Sequence, residues 1–179
     1  MLLTTSVFNM SLPQASNGLR KRNLASGNRN VGSRKRLFVA RQFIMRMKEF
    51  EQMEIEYFIP PDEDAWSRYH REWIDRRMSW FSSIGLTTDF LGEEVHPREK
   101  LAHYAKACTD ITFKFPFGEH ELEGIAARGN FDLTQHQTHS GKNLEFFDEG
   151  TKQKFLPHVI EPSLGVDRTF LAVICSSYQ

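Results

Sequence analysis

A strictly alternating segment at residues 111–117 is the feature that most constrains the fold. Its apolar residues are Ile111, Phe113, Phe115 and Phe117, and one polar residue or proline separates each from the next. Side chains of a β-strand point alternately to its two faces, so this spacing predicts a half-buried strand. Gly118 follows as a turn, and residues 121–126 are predicted to return as the antiparallel partner.

A second alternating stretch, residues 39–59, predicts two more antiparallel strands joined by a short polar turn. Apolar residues alternate with polar ones on both sides of that turn, and Pro60 and Pro61 end the second strand. A further short strand is predicted at residues 158–163. The apolar positions before and after the turn are Phe43, Met45 and Met47, then Met53, Ile55, Tyr57 and Ile59.

Three segments carry helix signals. The first is predicted to start at an Asp62 cap and to run to about Ile84, with Gly85 as its stop. The second is predicted at Pro97–Ala107 and the third at Val166–Tyr178, whereas residues 131–150 are interpreted as irregular. Helices mixed with hairpins favour an α+β domain with an antiparallel sheet. Core anchors are predicted along one side of the first helix, at Trp66, Tyr69, Trp73 and Ile74.

Length and composition limit the classes of protein that fit. The chain has 179 residues, of which 40% are hydrophobic, so it suits one domain with a closed core. Its longest apolar run, residues 170–175, is much shorter than the roughly 20 residues of a membrane-spanning helix, so no membrane association is expected. Two cysteines, Cys108 and Cys175, predict buried free thiols, a reducing compartment and a cytoplasmic location.

The charge is unevenly distributed along the chain. Residues 1–48 hold ten basic side chains and no acidic one, although the whole chain has 23 of each. Residues 1–36 are therefore interpreted as a basic, unstructured leader. Such a leader is typical of organellar transit peptides, so an organellar location is a minor alternative. It is also typical of arms that contact RNA phosphates.

Three groups of residues carry candidate chemistry. Glu54 and Glu56 share one strand face with Gln52, which indicates either a solvated face or a cation site. Segment 161–168 places a carboxylate, a hydroxyl and an arginine at a predicted helix start, which suits the binding of a phosphate or a planar base. The pattern is equally compatible with a structural role in which Arg168 pairs with Glu161. His120, His136 and His139 lack a zinc-ligand spacing and are interpreted as polar loop residues.

Long ordered segments of the chain resemble a known family. They are VARQFIMRMKEFEQMEIEYF, EKLAHYAKACTDITFKFPFGEHELEGIAARGNFDLTQHQTHSG and PHVIEPSLGVDRTFLAVICSSY. Over residues 39–178 the chain resembles the catalytic core of dimeric class II glycyl-tRNA synthetases. The resemblance implies the antiparallel sheet with flanking helices of that class, a homodimer, and ATP-dependent activation of glycine with Mg²⁺ before transfer to its tRNA.

The resemblance also implies roles for individual residues. Phe50 and Arg168 would lie on the two faces of adenine, Arg46 would hold the triphosphate, and Arg46 and Arg168 would be catalytic. Glu123 would help to orient magnesium. The implied ATP-binding residues are Arg46, Glu49, Phe50, Glu121, Leu122, Gly165, Val166, Asp167 and Arg168. The implied glycine-binding residues are Phe50, Glu51, Gln52, Met53, Glu54, Glu161, Pro162, Ser163, Leu164 and Gly165.

The chain departs from the family before residue 39. Where the family has Arg-Asn-Glu, this sequence has Lys35, Arg36 and Leu37, so the arginine expected at the α-phosphate is absent. We therefore expect a leader unrelated to the family at residues 1–36 and a partial catalytic core, from the second half of motif 2 through motif 3, at residues 37–179. That core is expected to have impaired activity and an exposed strand edge. The alternatives are a non-catalytic RNA-binding or scaffold paralogue and an unstable gene fragment.

Overall fold

A six-stranded antiparallel sheet forms the centre of the structure. The computed structural model describes residues 3–10, 43–47 and 50–178. The sheet contains β1 (Leu3–Met10), β2 (Phe50–Ile59), β3 (Leu91–Val95), β4 (Ala107–Phe115), β5 (Gly118–Gly129) and β8 (His158–Gly165). Their spatial order is β1-β2-β8-β5-β4-β3, and a separate hairpin is formed by β6 (Phe146–Asp148) and β7 (Gln153–Phe155).

Three α-helices accompany the sheet in the described part of the chain. They are α1 (Ala65–Ser83), α2 (Phe131–Ser140) and α3 (Val166–Ser177), and short 3-10 turns lie at Phe43–Met45 and Arg98–Lys100. The predicted α+β class is thereby confirmed. None of the helices in the described residues is both long and apolar enough to cross a membrane.

The core lies between the sheet and α1. Ile111 and Phe113 of β4 are buried, as the alternating pattern predicted, and Phe81 of α1 is fully buried. The Tyr57 ring of β2 packs edge-on against Trp73 of α1, with 5.2 Å between the ring centroids. Predicted anchors on one side of the first helix are therefore confirmed as part of the core or as packed against it.

Both ends of α1 agree closely with the sequence signals. The Asp62 carboxylate accepts the backbone N–H of Asp64 at 2.9 Å, although the helix itself begins at Ala65. Gly85 lies just beyond the helix at φ +95°, where a side chain would be strained, and its N–H donates to the Ser82 carbonyl at 3.1 Å. The predicted glycine stop is confirmed.

Three local predictions were wrong. Phe43–Met45 forms a 3-10 turn where a strand was expected. The helix predicted at Pro97–Ala107 is reduced to the turn Arg98–Lys100, because the Lys106 N–H donates to Ala127 of β5 at 2.7 Å and extends the chain. The region expected to be irregular contains α2, which ends at Gly141 in the left-handed conformation with φ +68°.

The prediction for the leader also requires correction. β1 pairs with β2 along its whole length, from Leu3 opposite Tyr57 to Met10 opposite Phe50, so these eight residues are not unstructured. Threonine, valine and phenylalanine favour strands, and the outer edge of β2 offers unpaired backbone groups. The edge of β2 that was expected to be exposed is therefore covered. Residues 11–42, including Lys35, Arg36, Leu37 and the predicted domain boundary, lie outside the described residues.

Candidate functional site

The register of β2 and β8 collects polar side chains on one face of the sheet. Gln52 lies opposite Gly165, and Glu54 lies opposite Ser163. Continuing this register places Glu56 opposite Glu161. Alternate residues of a strand share a face, so three carboxylates, one amide and one hydroxyl lie on the same side of two neighbouring strands.

Hydrogen bonds join the middle of this group. The Gln52 side-chain amide donates to Ser163 Oγ at 2.6 Å and also contacts the Glu54 carboxylate. Ser163 Oγ in turn lies 3.4 Å from Glu54 Oε1. All three side chains are partly buried, so their oxygens form a preorganised set of acceptors that suits a small cationic group.

Negative charge exceeds positive charge at this point of the sheet. Arg128 of β5 bonds Glu161 at 2.5 Å and also bonds Asp132, whereas no ion pair of Glu54 or Glu56 occurs within the described residues. Burial, followed by the charge of Glu161, raises the pKa of Glu54 above its usual value. Burial and the same neighbour raise the pKa of Glu56 to about 7. A bound cation would relieve this repulsion.

A cleft of about 310 Å³ adjoins the acidic group. Arg168 lies in its wall, where Nη1 donates to the Glu121 carboxylate at 3.1 Å and Nη2 donates to the Met45 carbonyl at 3.1 Å. A Cβ added at Gly165 would lie 3.4 Å from Arg168 Cδ, an ordinary contact distance, so the arginine stem packs directly against this glycine. α3 begins immediately after Gly165, and Asp167 in its first turn accepts the Glu51 N–H at 3.1 Å.

Most of the residues implied by the resemblance lie in or beside this cleft. Glu54 and Glu161 lie on the adjoining strand face, while Pro162 is fully buried and Met53 packs on the core. Val166 is the first residue of α3, and Glu49 lies outside the described residues. The implied residues that line the cleft are Arg46, Phe50, Glu51, Gln52, Glu121, Leu122, Ser163, Leu164, Gly165, Asp167 and Arg168.

Glu123 is the clear exception. Its side chain is 1% exposed and lies under α1, where both of its carboxylate oxygens accept the Arg77 Nε–H at 2.8 and 2.9 Å. This face of the sheet is opposite to the one that carries Gly124, whose missing Cβ would point toward Asp110 and Glu121. Glu123 is thus paired with Arg77 and does not line the cleft, and its implied contact with magnesium stays a prediction.

Two features of this face were missed from the sequence. Arg128 was not singled out; it bonds Glu161 on this face from a register shift between Ala127 and Gly129, which residue alternation does not predict. His96, Cys108 and Asp110 also come together, with their ligand atoms within 4.8 Å of one another. The histidines predicted to be polar loop residues do not belong to that group. His136 and His139 lie on the helix α2 and His120 lies on the strand β5, so the loop prediction was wrong for all three.

Curated glycine–tRNA ligases are similar to most of this chain. The ligase of Thermobifida fusca is 46% identical over 139 residues, which cover 76% of this chain and 30% of that protein. The Lachnospira eligens ligase is 47% identical over 138 residues (76% and 29%), and the Thermus thermophilus ligase is 44% identical over 153 residues (77% and 30%). No family model matches the chain.

The chain spans about three tenths of the length of these relatives. Within that span, identity of 44% to 47% is sustained over 138 to 153 residues, far more than a single motif provides. The resemblance predicted from the sequence is confirmed: over about three quarters of its length this chain is related to the glycine–tRNA ligases.

Proposed function

We propose that this chain binds glycine and ATP at the described face and cleft and activates glycine as an adenylate, at a reduced rate. The observation that carries the proposal is the linked acceptor set of Gln52, Glu54 and Ser163 beside a cleft walled by Arg168. This arrangement offers one site for an ammonium group and an adjoining site for an anionic, planar ligand.

The glycine ammonium would lie against the carboxylates of Glu54 and Glu161 and against Ser163 Oγ. A charged amine needs several acceptors to replace its lost water, and this face supplies them in a partly buried setting. Selection of glycine over alanine must be steric, because one methyl group in a pocket is worth only about 1–3 kcal/mol. Gln52 is held by hydrogen bonds to both Ser163 and Glu54, and in this proposal its side chain would limit the space for a β-carbon.

ATP would occupy the cleft. Phe50 and Arg168 both line it, and a flat ring between them would gain stacking and cation–π contacts. Arg46 and the N-terminus of α3 carry positive charge toward the triphosphate. Mg²⁺ arriving with ATP would find carboxylate oxygens at Glu121 and Asp167, which also line the cleft and are of the ligand type that this ion prefers.

The reaction would join a glycine carboxylate oxygen to the α-phosphorus of ATP and release pyrophosphate. Lys35 occupies the place of the family arginine expected at that phosphate, and a lysine cannot form the same two parallel hydrogen bonds. Loss of one such charge-stabilising group costs roughly 10²–10³ in rate. We therefore propose that this chain forms the adenylate at a reduced rate and then transfers glycine to its tRNA. We also propose that the chain has the class II fold, forms a homodimer and is located in the cytoplasm.

The test is glycine-dependent exchange of pyrophosphate into ATP by the full chain. A variant that combines Lys35→Arg, Arg36→Asn and Leu37→Glu should exchange faster, and adding Glu54→Gln should abolish the gain. Alanine in place of glycine should support no exchange. Absence of exchange in both forms, together with absence of glycine and ATP binding by calorimetry, would contradict the proposal.

A second candidate function, RNA binding by the basic leader, is favoured by the charge distribution. All ten charged side chains of residues 1–48 are basic. An RNA-binding arm predicts an affinity for RNA that falls steeply with salt concentration. Deleting residues 11–36, which spares β1, should remove that affinity if the leader carries it.

A further inference from the structure

Three side chains of different metal-ligating types converge beside β4. His96 follows β3, and Cys108 and Asp110 belong to β4. Their ligand atoms all lie within 4.8 Å of one another, with His96 Nε2 at 2.8 Å from Asp110 Oδ2 and Cys108 Sγ at 3.8 Å from Asp110 Oδ1. A nitrogen, a sulfur and an oxygen donor are thus available around one point.

The backbone holds these donors in place before any ion binds. Cys108 and Asp110 are two residues apart on one strand, so their side chains project from the same face. The His96 N–H donates to the Cys108 carbonyl at 3.0 Å, which fixes the loop after β3 against β4. Little ordering would accompany binding, because the positions are already set by the sheet.

The local charge favours a cation. Asp110 has His96 as its only ion-pair partner in the described part of the chain. Gly124 keeps the neighbouring space open, since a Cβ there would meet Asp110 Oδ1 at 3.3 Å and Glu121 Oε1 at 3.6 Å. Two carboxylates therefore face the same small space.

We propose that His96, Cys108 and Asp110 form a binding site for a zinc-class divalent ion, with water as the fourth ligand. Thiolate, imidazole and carboxylate are the ligands that zinc uses in proteins, and three protein ligands with one open position are typical of an accessible site. The thiolate disfavours Mg²⁺ and Ca²⁺, which take oxygen ligands. The His96 and Asp110 side chains are 26% and 14% exposed, so the ion has a path from solvent.

The three proposed ligands do not line the cleft, although Glu121 lines the cleft and also faces the space beside Asp110, and the proposal does not depend on the proposed function. Asp110 lies opposite Gly124, and Gly124 lies opposite Ser163 in the next strand. One strand therefore separates the proposed metal ligands from the proposed glycine acceptors. Metal binding and glycine activation can be measured and can fail independently.

The experiment is a titration of the reduced, purified full chain with Co²⁺, a spectroscopic substitute for Zn²⁺. Direct ligation by a thiolate gives a near-ultraviolet charge-transfer band, and tetrahedral geometry gives visible bands. We expect both at one cobalt per chain, with both bleached by one equivalent of Zn²⁺. Cys108→Ser should remove the charge-transfer band, and His96→Gln should weaken binding by about tenfold or more.

Cys175→Ser is the matched control, because Cys175 is the other free cysteine and lies on α3. It should leave the cobalt spectrum unchanged. The proposal is overturned by an absent charge-transfer band in the unmodified chain, or by a band that survives Cys108→Ser but is lost in Cys175→Ser. Circular dichroism checks the fold of each variant. If Cys108→Ser is unfolded, the partly exposed His96→Gln and Asp110→Asn decide the outcome, and unchanged affinity in both overturns the proposal.

Discussion

Replacing Glu56 by glutamine should stabilise the protein at neutral and alkaline pH. Glu56 lies opposite Glu161 across the β2–β8 ladder, and like charges in directly opposed positions repel each other. The other charged groups near it are Glu54 on its own strand, Arg128 on β5, and Asp132, which Arg128 also bonds. Because Arg128 is shared between Glu161 and Asp132, it offsets only part of the repulsion.

The sign of the pH dependence follows from the direction of the pKa change. Burial, followed by the charge of Glu161, raises the pKa of Glu56 from 4.5 to about 7. Between these values the folded protein holds a proton that the unfolded chain has lost, so the free energy of unfolding falls as the pH rises. The full difference corresponds to about 3 kcal/mol, and solvent screening at this partly exposed pair reduces it to about 1–2 kcal/mol.

The assay is urea unfolding of the full chain at several pH values between 4.5 and 8.5. The gain in stability of Glu56→Gln over the unmodified chain should be near zero at the acid end, grow to about 1–2 kcal/mol near pH 7 and then level off. Glu149→Gln, an exposed substitution of the same type, serves as the control and should give no pH-dependent gain. A gain that is equal at all pH values, or larger at the acid end, would refute the reasoning.

Three more predictions concern an ion pair, a glycine and a sheet edge. Arg77→Met should lower the free energy of unfolding by about 3–5 kcal/mol in urea titrations, because Glu123 would remain buried without its partner, and adding Glu123→Gln should recover part of the loss. Gly165→Ala should leave both the melting temperature and the ATP affinity in calorimetry nearly unchanged, because the added Cβ would lie at an ordinary contact distance, 3.4 Å, from Arg168 Cδ; severalfold weaker binding would contradict this reasoning. The double variant Ser6→Pro, Val7→Pro should lose the pairing of β1 with β2, because adjacent N–H groups point to opposite sides of a strand and one of the two must donate to β2. The uncovered edge of β2 should then cause concentration-dependent association in sedimentation experiments, whereas the control variant Ser6→Thr should remain unassociated.

Periodic segments could be predicted from the sequence because their burial is set locally. The aromatic side of α1 agrees with the structure, and so do Ile111, Phe113 and Phe115 of the alternating segment, whereas Phe117 lies beyond β4 and is 54% exposed. Pro97–Ala107 failed because its conformation depends on β5, which captures the Lys106 N–H. α2 was missed because it has no buried residue, so no apolar period marks it, and Gly141 is its clearest local signal.

The site shows the same division between local and long-range information. Counting alternate residues from Glu121 places Glu123 on the same face, yet a register shift between Ile111 and Thr112 makes the two carboxylates face opposite sides of the sheet. A β-bulge of this kind inserts one residue and reverses the parity of everything beyond it. Strand alternation alone therefore could not have assigned Glu123 to α1, and it equally could not have placed Gly124 in the space beside Asp110.

The unequal charge of the two sheet faces is the strongest physical reason to expect a ligand on one of them. Beneath α1 the single buried carboxylate among the described residues, Glu123, is matched by Arg77, so no buried carboxylate there lacks a partner. On the opposite face Glu54 and Glu56 have no ion-pair partner among those residues, and Glu161 shares one arginine. Partly buried carboxylates repel one another at a cost to stability, and a sheet selected for stability alone would not group them. An ammonium group beside Glu54 and Glu161 would convert that repulsion into binding energy, which is why the acidic face is the place to look for a bound substrate.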